Sequence, residues 1–274
     1  MARNYQFVTV EREGRLTLIT INRPEVLNAL HPPAHHELAA VLDDFQQDDE
    51  QWVAILTGAG DRAFCAGNDL KFRTAMGRQR MPESGFAGLT ARLSLDKPIV
   101  AAVNGVAFGG GFELALACDL IVADERVQFA LPEARVGLAA LAGGLHRLPR
   151  EIGLKAAMGI ALTGRRVDAA EAYHLGFVNE VSLAHSSLHV ARRWVEDILR
   201  AGPLAVRAAK QTILRGIDEP NLGTALGLQS QYPAVVEMYA SADAIEGPRA
   251  FVEKRAPRWT GRPFKGDLPK GSCS

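Results

Sequence analysis

The chain has 274 residues, 47% of them hydrophobic, which is enough for a sizeable core and excludes an intrinsically disordered protein. Thirty-one basic residues balance 31 acidic ones, so no net field gathers nucleic acid or an anionic membrane, and neither is expected as a general partner. Cys65, Cys118 and Cys273 fit no disulfide or zinc spacing, and the opening residues MARNYQFVTV lack a long apolar segment of the secretory kind; both point to a reducing, cytoplasmic setting.

In chain order, the apolar residues Phe7, Val10, Leu16, Leu18, Ile19 and Ile21 read as two short strands joined by a turn at 11–14. A helix is expected from about Pro33, because Leu38, Val41, Leu42 and Phe45 recur at helical spacing. Residues 53–57 (VAILT) form a buried strand by length and composition. A turn at Gly58–Asp61 leads to AFCAGNDL (63–70), where Asn68 or Asp69 could cap a helix. From Thr74 to Gly88 the pattern dissolves, and a mobile loop near an entrance is expected. A short helix over 89–95, a strand over 99–103, a helix from about Phe112 to Cys118, strands at 120–122 and 127–130 and a helix over 154–162 follow. Beyond Asp168 the texture is helical, over 169–175, 185–201, 203–215, 221–240 and 241–254. Strands alternating with helices, then helices alone, define an α/β fold with a helical C-terminal region.

The longest apolar stretch, 99–123, holds a triple glycine that runs into an acid: Gly109, Gly110, Gly111, Phe112, Glu113. Asn104, Glu113 and Asp119 interrupt it, so a buried core segment is expected rather than a membrane span. Glycine at a helix start allows close approach to unpaired backbone N–H groups, and Gly110 N–H could donate to a developing oxyanion; tight strand–helix packing explains the glycines equally well. Glu113 reads as a general acid or base, against the alternative of a solvated first-turn acid. Glu133, after Leu131-Pro132, reads by itself as an ordinary turn acid, but together with Glu113 it could form a carboxylate pair that divides acid and base work. Cys65 has no basic neighbour in sequence to activate it. His31, His35 and His36 make no metal site, as only the first two share a helical face and no carboxylate completes the set. No dinucleotide fingerprint or phosphate-loop lysine is present.

Residues 63–70 (AFCAGNDL), 102–119 (AVNGVAFGGGFELALACD) and 129–137 (FALPEARVG), in that order and spacing, resemble the crotonase, or enoyl-CoA hydratase/isomerase, superfamily. The likeness covers nearly the whole chain. It implies the ClpP/crotonase-like spiral of ββα units over 1–200 and a helical trimerisation region over 201–274. It implies an oxyanion hole made by Ala66 and Gly110 N–H, and catalysis by Glu113 and Glu133 on an acyl-CoA thioester. Arg23, Val26, Asn68, Asp69, Leu70, Lys71, Leu141, Phe251 and Lys254 match substrate- or CoA-contacting positions. The implied activity is enoyl-CoA hydration, with double-bond isomerisation or a non-catalytic acyl-CoA-binding role as alternatives. No cofactor is expected, coenzyme A being part of the substrate, and the implied assembly is a homotrimer or a dimer of trimers. A finer likeness, in 86–90, 106–114 and 242–255, is to the carnitinyl-CoA dehydratase branch. Ala140 and Leu141 depart from its pattern and make the acyl pocket less polar, while Glu25 stands where relatives often carry a basic residue for CoA.

Overall fold

The structure, a computed structural model, describes residues 5–76 and 80–262. The chain divides into two compact units: residues 1–94 with 99–195, and residues 95–98 with 196–274.

The first unit opens with a hairpin. Strands β1 (Val8–Glu13) and β2 (Leu16–Ile21) pair antiparallel, with Val8 opposite Ile21 and Glu13 opposite Leu16. Gly14, at φ +58°, allows the two-residue turn between them. Helix α1 (Pro32–Gln47) buries the expected Leu38, Val41, Leu42 and Phe45, and also Ala34 and His35. Its crossover brings β3 (Val53–Gly58) parallel to β2.

A ββα unit then recurs. The first is β3, β4 (Ala63–Cys65) and α2 (Leu70–Met76); the second is β5 (Ile99–Val103), β6 (Val106–Phe108) and α3 (Gly110–Leu116). The third is β7 (Leu120–Asp124) and β8 (Gln128–Ala130), then a 3₁₀ turn over Pro132–Val136 and α4 (Gly144–Ile152). The first strand of each unit joins one sheet and the second strand another. With α5 (Leu154–Thr163), β9 (Val167–Asp168), α6 (Ala169–Leu175), β10 (Glu180–Ser182) and α7 (Ser187–Arg200), the sheet orders are β1-β2-β3-β5-β7-β10 and β4-β6-β8-β9. The fold is α/β and is the spiral of ββα units that the resemblance implies. β3 and β5 are buried along their whole length, which is why they read as unbroken apolar runs. Phe112, Phe129 and Phe177 close the core behind α3, with ring centroids 5.1–5.2 Å apart.

The second unit holds α8 (Pro203–Asp218), α9 (Leu222–Leu228), α10 (Pro233–Tyr239) and α11 (Asp243–Val252). The single helix expected over 221–240 is two, because Pro233 has no N–H to continue a helix and instead begins the next one. Asp243 ties the end of the described chain back to α11 by accepting the N–H groups of Thr260 and Gly261, both at 2.8 Å.

Two further expectations change. No helix forms over 89–95: the segment turns back on itself, with Phe86 N–H on Thr90 Oγ1 at 2.9 Å and Ala91 N–H on Ser84 C=O at 2.9 Å. The expected loop over 74–88 ends in the core, since Phe86, Ala87 and Gly88 form a buried 3₁₀ turn; residues 77–79 lie outside the described residues. Among the described residues no helix is long and apolar enough to cross a membrane.

Candidate active site

The site grows from the parallel pairing of β4 with β6, which sets Cys65 opposite Ala107. The segments leaving the two strands, 66–69 and 109–111, therefore run side by side. Their glycines are needed for that approach. A Cβ on Gly67 would stand 2.7 Å from Phe108 C=O and 3.2 Å from Gly110 N, and one on Gly111 would collide with Cys65 C=O. Gly109 adopts φ +54° and ψ −125°, a conformation closed to L side chains. The residues are small for packing, and that packing leaves backbone N–H groups at the two strand exits.

Which donors are bared differs from expectation. Gly110 N–H opens α3 and donates to nothing among the described residues, as does a first-turn helical N–H. Ala66 N–H, the expected second donor, is already spent on Leu27 C=O at 3.0 Å. The donor left over is Asn68 N–H. Gly67 C=O accepts from Leu30 N–H at 2.8 Å and Asp69 N–H donates to Leu30 C=O at 2.9 Å. In such a parallel bridge the residue between them turns its N–H the other way. The shift by two residues follows from the left-handed turn at Leu27 and Asn28, both at φ 56°, which aims Leu27 C=O at Ala66. Leucine there costs about 1 kcal/mol. Asn28 holds the turn with its amide, accepting from Arg23 N–H at 3.0 Å and donating to Ala63 C=O at 2.8 Å and Ala59 C=O at 3.0 Å.

Two carboxylates border the glycine turn. Glu113 is 2% exposed and accepts Gly144 N–H at 2.9 Å. Burial pushes its pKa up to about 7; the N–H groups of Gly144 and Ala142 and the charge of Arg147 oppose this, and the charge of Glu133 adds to it. Glu133 sits at the start of the 3₁₀ turn after β8, and its pKa is also raised by burial. Its Oε1 lies 2.6 Å from where a Gly109 Cβ would be, and its Oε2 is buried with no hydrogen-bond partner among the described residues. A buried, unsatisfied carboxylate oxygen costs stability and is the kind of group a ligand completes. Two interacting acids beside bared N–H donors can move protons to and from carbon next to a stabilised oxyanion.

The remaining expected residues scatter. Arg23 is no free cation for a phosphate: it is 9% exposed, donates to Ala29 C=O and pairs with Asp69 at 3.1 Å. Asp69 in turn caps α2 by accepting Phe72 N–H at 3.0 Å, as its position suggested. Leu70 and Lys71 are exposed on α2, Asn68 is exposed, and Val26 is half-buried in the turn over Pro24–Val26. Leu141 is 80% exposed beside buried Ala140. Phe251 and Lys254 are exposed in the second unit. Cys65 is buried and its thiol is pushed up to about 12 by desolvation, so it is no nucleophile at neutral pH. Among the described residues no His, Cys, Asp or Glu group of three could hold a metal. Phe86, Gly144 and Asn28 were missed. Phe86 lies against Gly110, where a Cβ would stand 2.5 Å from its ring. Only tertiary contact brings Phe86 and Gly144 to the site, whereas Asn28 followed by Ala29 after a proline turn carried a local signal for a left-handed residue.

A fold of ββα units with bared donors at two parallel strand exits, beside one buried and one half-buried acid, defines a class of site: one with the groups to stabilise an oxyanion and to move protons. The chain belongs to the Enoyl-CoA hydratase/isomerase family, whose profile matches residues 11–262. It is 42% identical to a carnitinyl-CoA dehydratase of Proteus mirabilis over 267 residues, covering 94% of this chain and 99% of that one. A carnitinyl-CoA dehydratase of Escherichia coli K12 is also 42% identical, with 92% and 97% covered. The crystal structure of an enoyl-CoA hydratase from Mycobacterium tuberculosis superposes with a TM-score of 0.87 at 43% identity, covering 93% of this chain and 99% of that one.

Proposed function

We propose that this chain catalyses the reversible addition of water across the α,β double bond of an acyl-CoA thioester. One observation carries the reading above the others: two interacting carboxylates, both raised in pKa by burial, Glu133 lying against Gly109 of a turn whose Gly110 N–H is unspent and Glu113 projecting from the helix that turn begins. The thioester oxygen sits between Gly110 N–H and Asn68 N–H. Ionised Glu113 takes a proton from water as the water oxygen bonds to Cβ, and the π electrons move through Cα onto the thioester oxygen. Protonated Glu133 then gives its proton to Cα as the enolate collapses back to the carbonyl. The two acids exchange protonation states in one turnover and reset through solvent; dehydration is the same path reversed. Each donor contributes about 3 kcal/mol to the barrier reduction, because it is aimed at charge that exists only on the way.

Steady-state hydration of crotonyl-CoA, followed by loss of the enoyl absorbance, tests the reading. Glu113→Gln and Glu133→Gln each lower kcat by about 10²- to 10⁴-fold, with crotonyl-CoA binding retained. Wild-type turnover in either variant overturns it. A second reading is specific dehydration of carnitine-type β-hydroxyacyl thioesters, favoured by the 42% identity to carnitinyl-CoA dehydratases. Comparing turnover of carnitinyl-CoA with that of 3-hydroxybutyryl-CoA separates the two. Coenzyme A enters as part of the substrate and no further cofactor takes part. The working form is a trimer or a dimer of trimers in the cytoplasm, supported by Ile213, Leu214 and Ile217, which α8 leaves 51–61% exposed.

A further inference from the structure

One buried imidazole that the proposed reaction does not use stands between the two halves of the donor pair. His35, in the first turn of α1, is 0% exposed. Its Nδ1 accepts Ala87 N–H at 3.0 Å, which leaves the ring proton on Nε2. Burial holds the ring's pKa down to about 3, so it is neutral at working pH. Ala87 is itself left-handed, at φ 53°. Its neighbour Phe86 packs edge-on against His35 with centroids 4.5 Å apart. The same Phe86 ring closes on Gly110, 2.5 Å from where a Cβ would be. On the other side, His35 Nε2 is buried with no hydrogen-bond partner among the described residues, and the Asn68 side chain stands beside the ring. A leucine would fill this space without an unpaired ring proton but would leave Ala87 N–H without an acceptor, and accepting that N–H does not explain the Nε2 proton on the ring's other edge.

We infer that His35 is a positioning residue that holds both oxyanion donors against one rigid ring: Nδ1, through Ala87 and Phe86, sets Gly110, and Nε2–H, donating to Asn68 Oδ1, sets Asn68. The inference rests on the donor pair proposed above. It gives the stranded Nε2 proton a partner and the left-handed Ala87 a purpose, since strain persists where surrounding contacts over-determine it.

The test uses butyryl-CoA carrying ¹³C at the thioester carbonyl, which binds but has no double bond to hydrate. Bound to the wild type, its C=O stretch moves to lower frequency, because the two donors polarise the carbonyl. His35→Phe keeps a flat aromatic ring, somewhat larger, and loses both polar edges; it gives back most of that shift and lowers kcat on crotonyl-CoA about 100-fold, with KM within about threefold. His35→Asn keeps an acceptor near the Nδ1 position and His35→Gln a donor near Nε2, and each recovers part of the band shift and of kcat. A wild-type band and kcat in His35→Phe overturn the inference, as does a lower Tm with unchanged kcat per folded molecule. If His35→Phe does not fold, the Asn and Gln variants decide it: intermediate bands support the inference and wild-type bands in both overturn it. A wild type that hydrates crotonyl-CoA without shifting the carbonyl band overturns the donor pair itself, and one that neither hydrates nor shifts it overturns the hydratase reading.

Discussion

Glu113 is where sequence, burial and chemistry meet in one residue. Its folded-state pKa of about 7 stands above its ordinary value of 4.5, so the folded protein binds its proton more tightly than the unfolded chain does. Stability attached to this group is therefore present below pH 4.5 and falls as pH rises to about 7, by about 3 kcal/mol in all. Glu113→Gln removes the charge and keeps an oxygen for Gly144 N–H. We expect its Tm to exceed that of the wild type at pH 8 and the gap to shrink toward pH 4.5, as measured by calorimetry across that range. Activity should move the opposite way: in the proposed reaction Glu113 is the ionised base, so kcat/KM is expected to fall on the acid side of about pH 7. Because the two acids interact, that limb belongs to the pair. The same residue scale shows the limit of motif reading. The resemblance pointed to Ala66 as a donor, but which N–H of this segment is free depends on Leu27, some 40 residues away, and on a left-handed turn that reaches across to it.

At the scale of elements, α3 depends on its neighbours more than on its own propensity. Gly110 and Gly111 begin it, and each is pressed by a different partner: Gly110 by the Phe86 ring and Gly111 by the backbone carbonyl of Cys65. A ring can tilt, whereas a carbonyl inside a parallel sheet cannot move alone. Gly110→Ala should therefore cost about 1–3 kcal/mol and Gly111→Ala more than that, a ranking that urea unfolding measures directly. Periodic elements were legible: α1, β3, β5 and α6 lie within a residue or so of expectation, because apolar spacing and caps such as Asp168, which accepts Glu171 N–H at 2.8 Å, are local signals. The segment over 84–92 was not, because its hydrogen bonds run to Thr90 Oγ1 and His35 Nδ1 rather than along a helix.

The whole molecule is a repeated ββα spiral followed by a helical unit, and its remaining predictions concern assembly and independence from added groups. If α8 packs against other copies, Ile217→Arg lowers the mass seen by light scattering on a sizing column from trimer or hexamer to monomer, with far-UV circular dichroism unchanged; an unaltered mass removes α8 from the interface. The proposed hydration uses two carboxylates and two N–H donors alone, so dialysis against EDTA should leave kcat on crotonyl-CoA unchanged.

By itself the sequence determined the α/β class, because apolar period, glycine runs and capping residues act over a few positions and survive reading in one dimension; its motifs, by resemblance, carried the ββα spiral and the family and pointed to two acids as candidates. Only the tertiary structure decided which N–H groups are unspent, that Arg23 is held by Asp69 instead of lying free, and that Phe86 and His35 back the glycine turn. The reason is physical: a hydrogen-bonding group is available only if nothing else has taken it, and what takes it comes from a distant part of the chain.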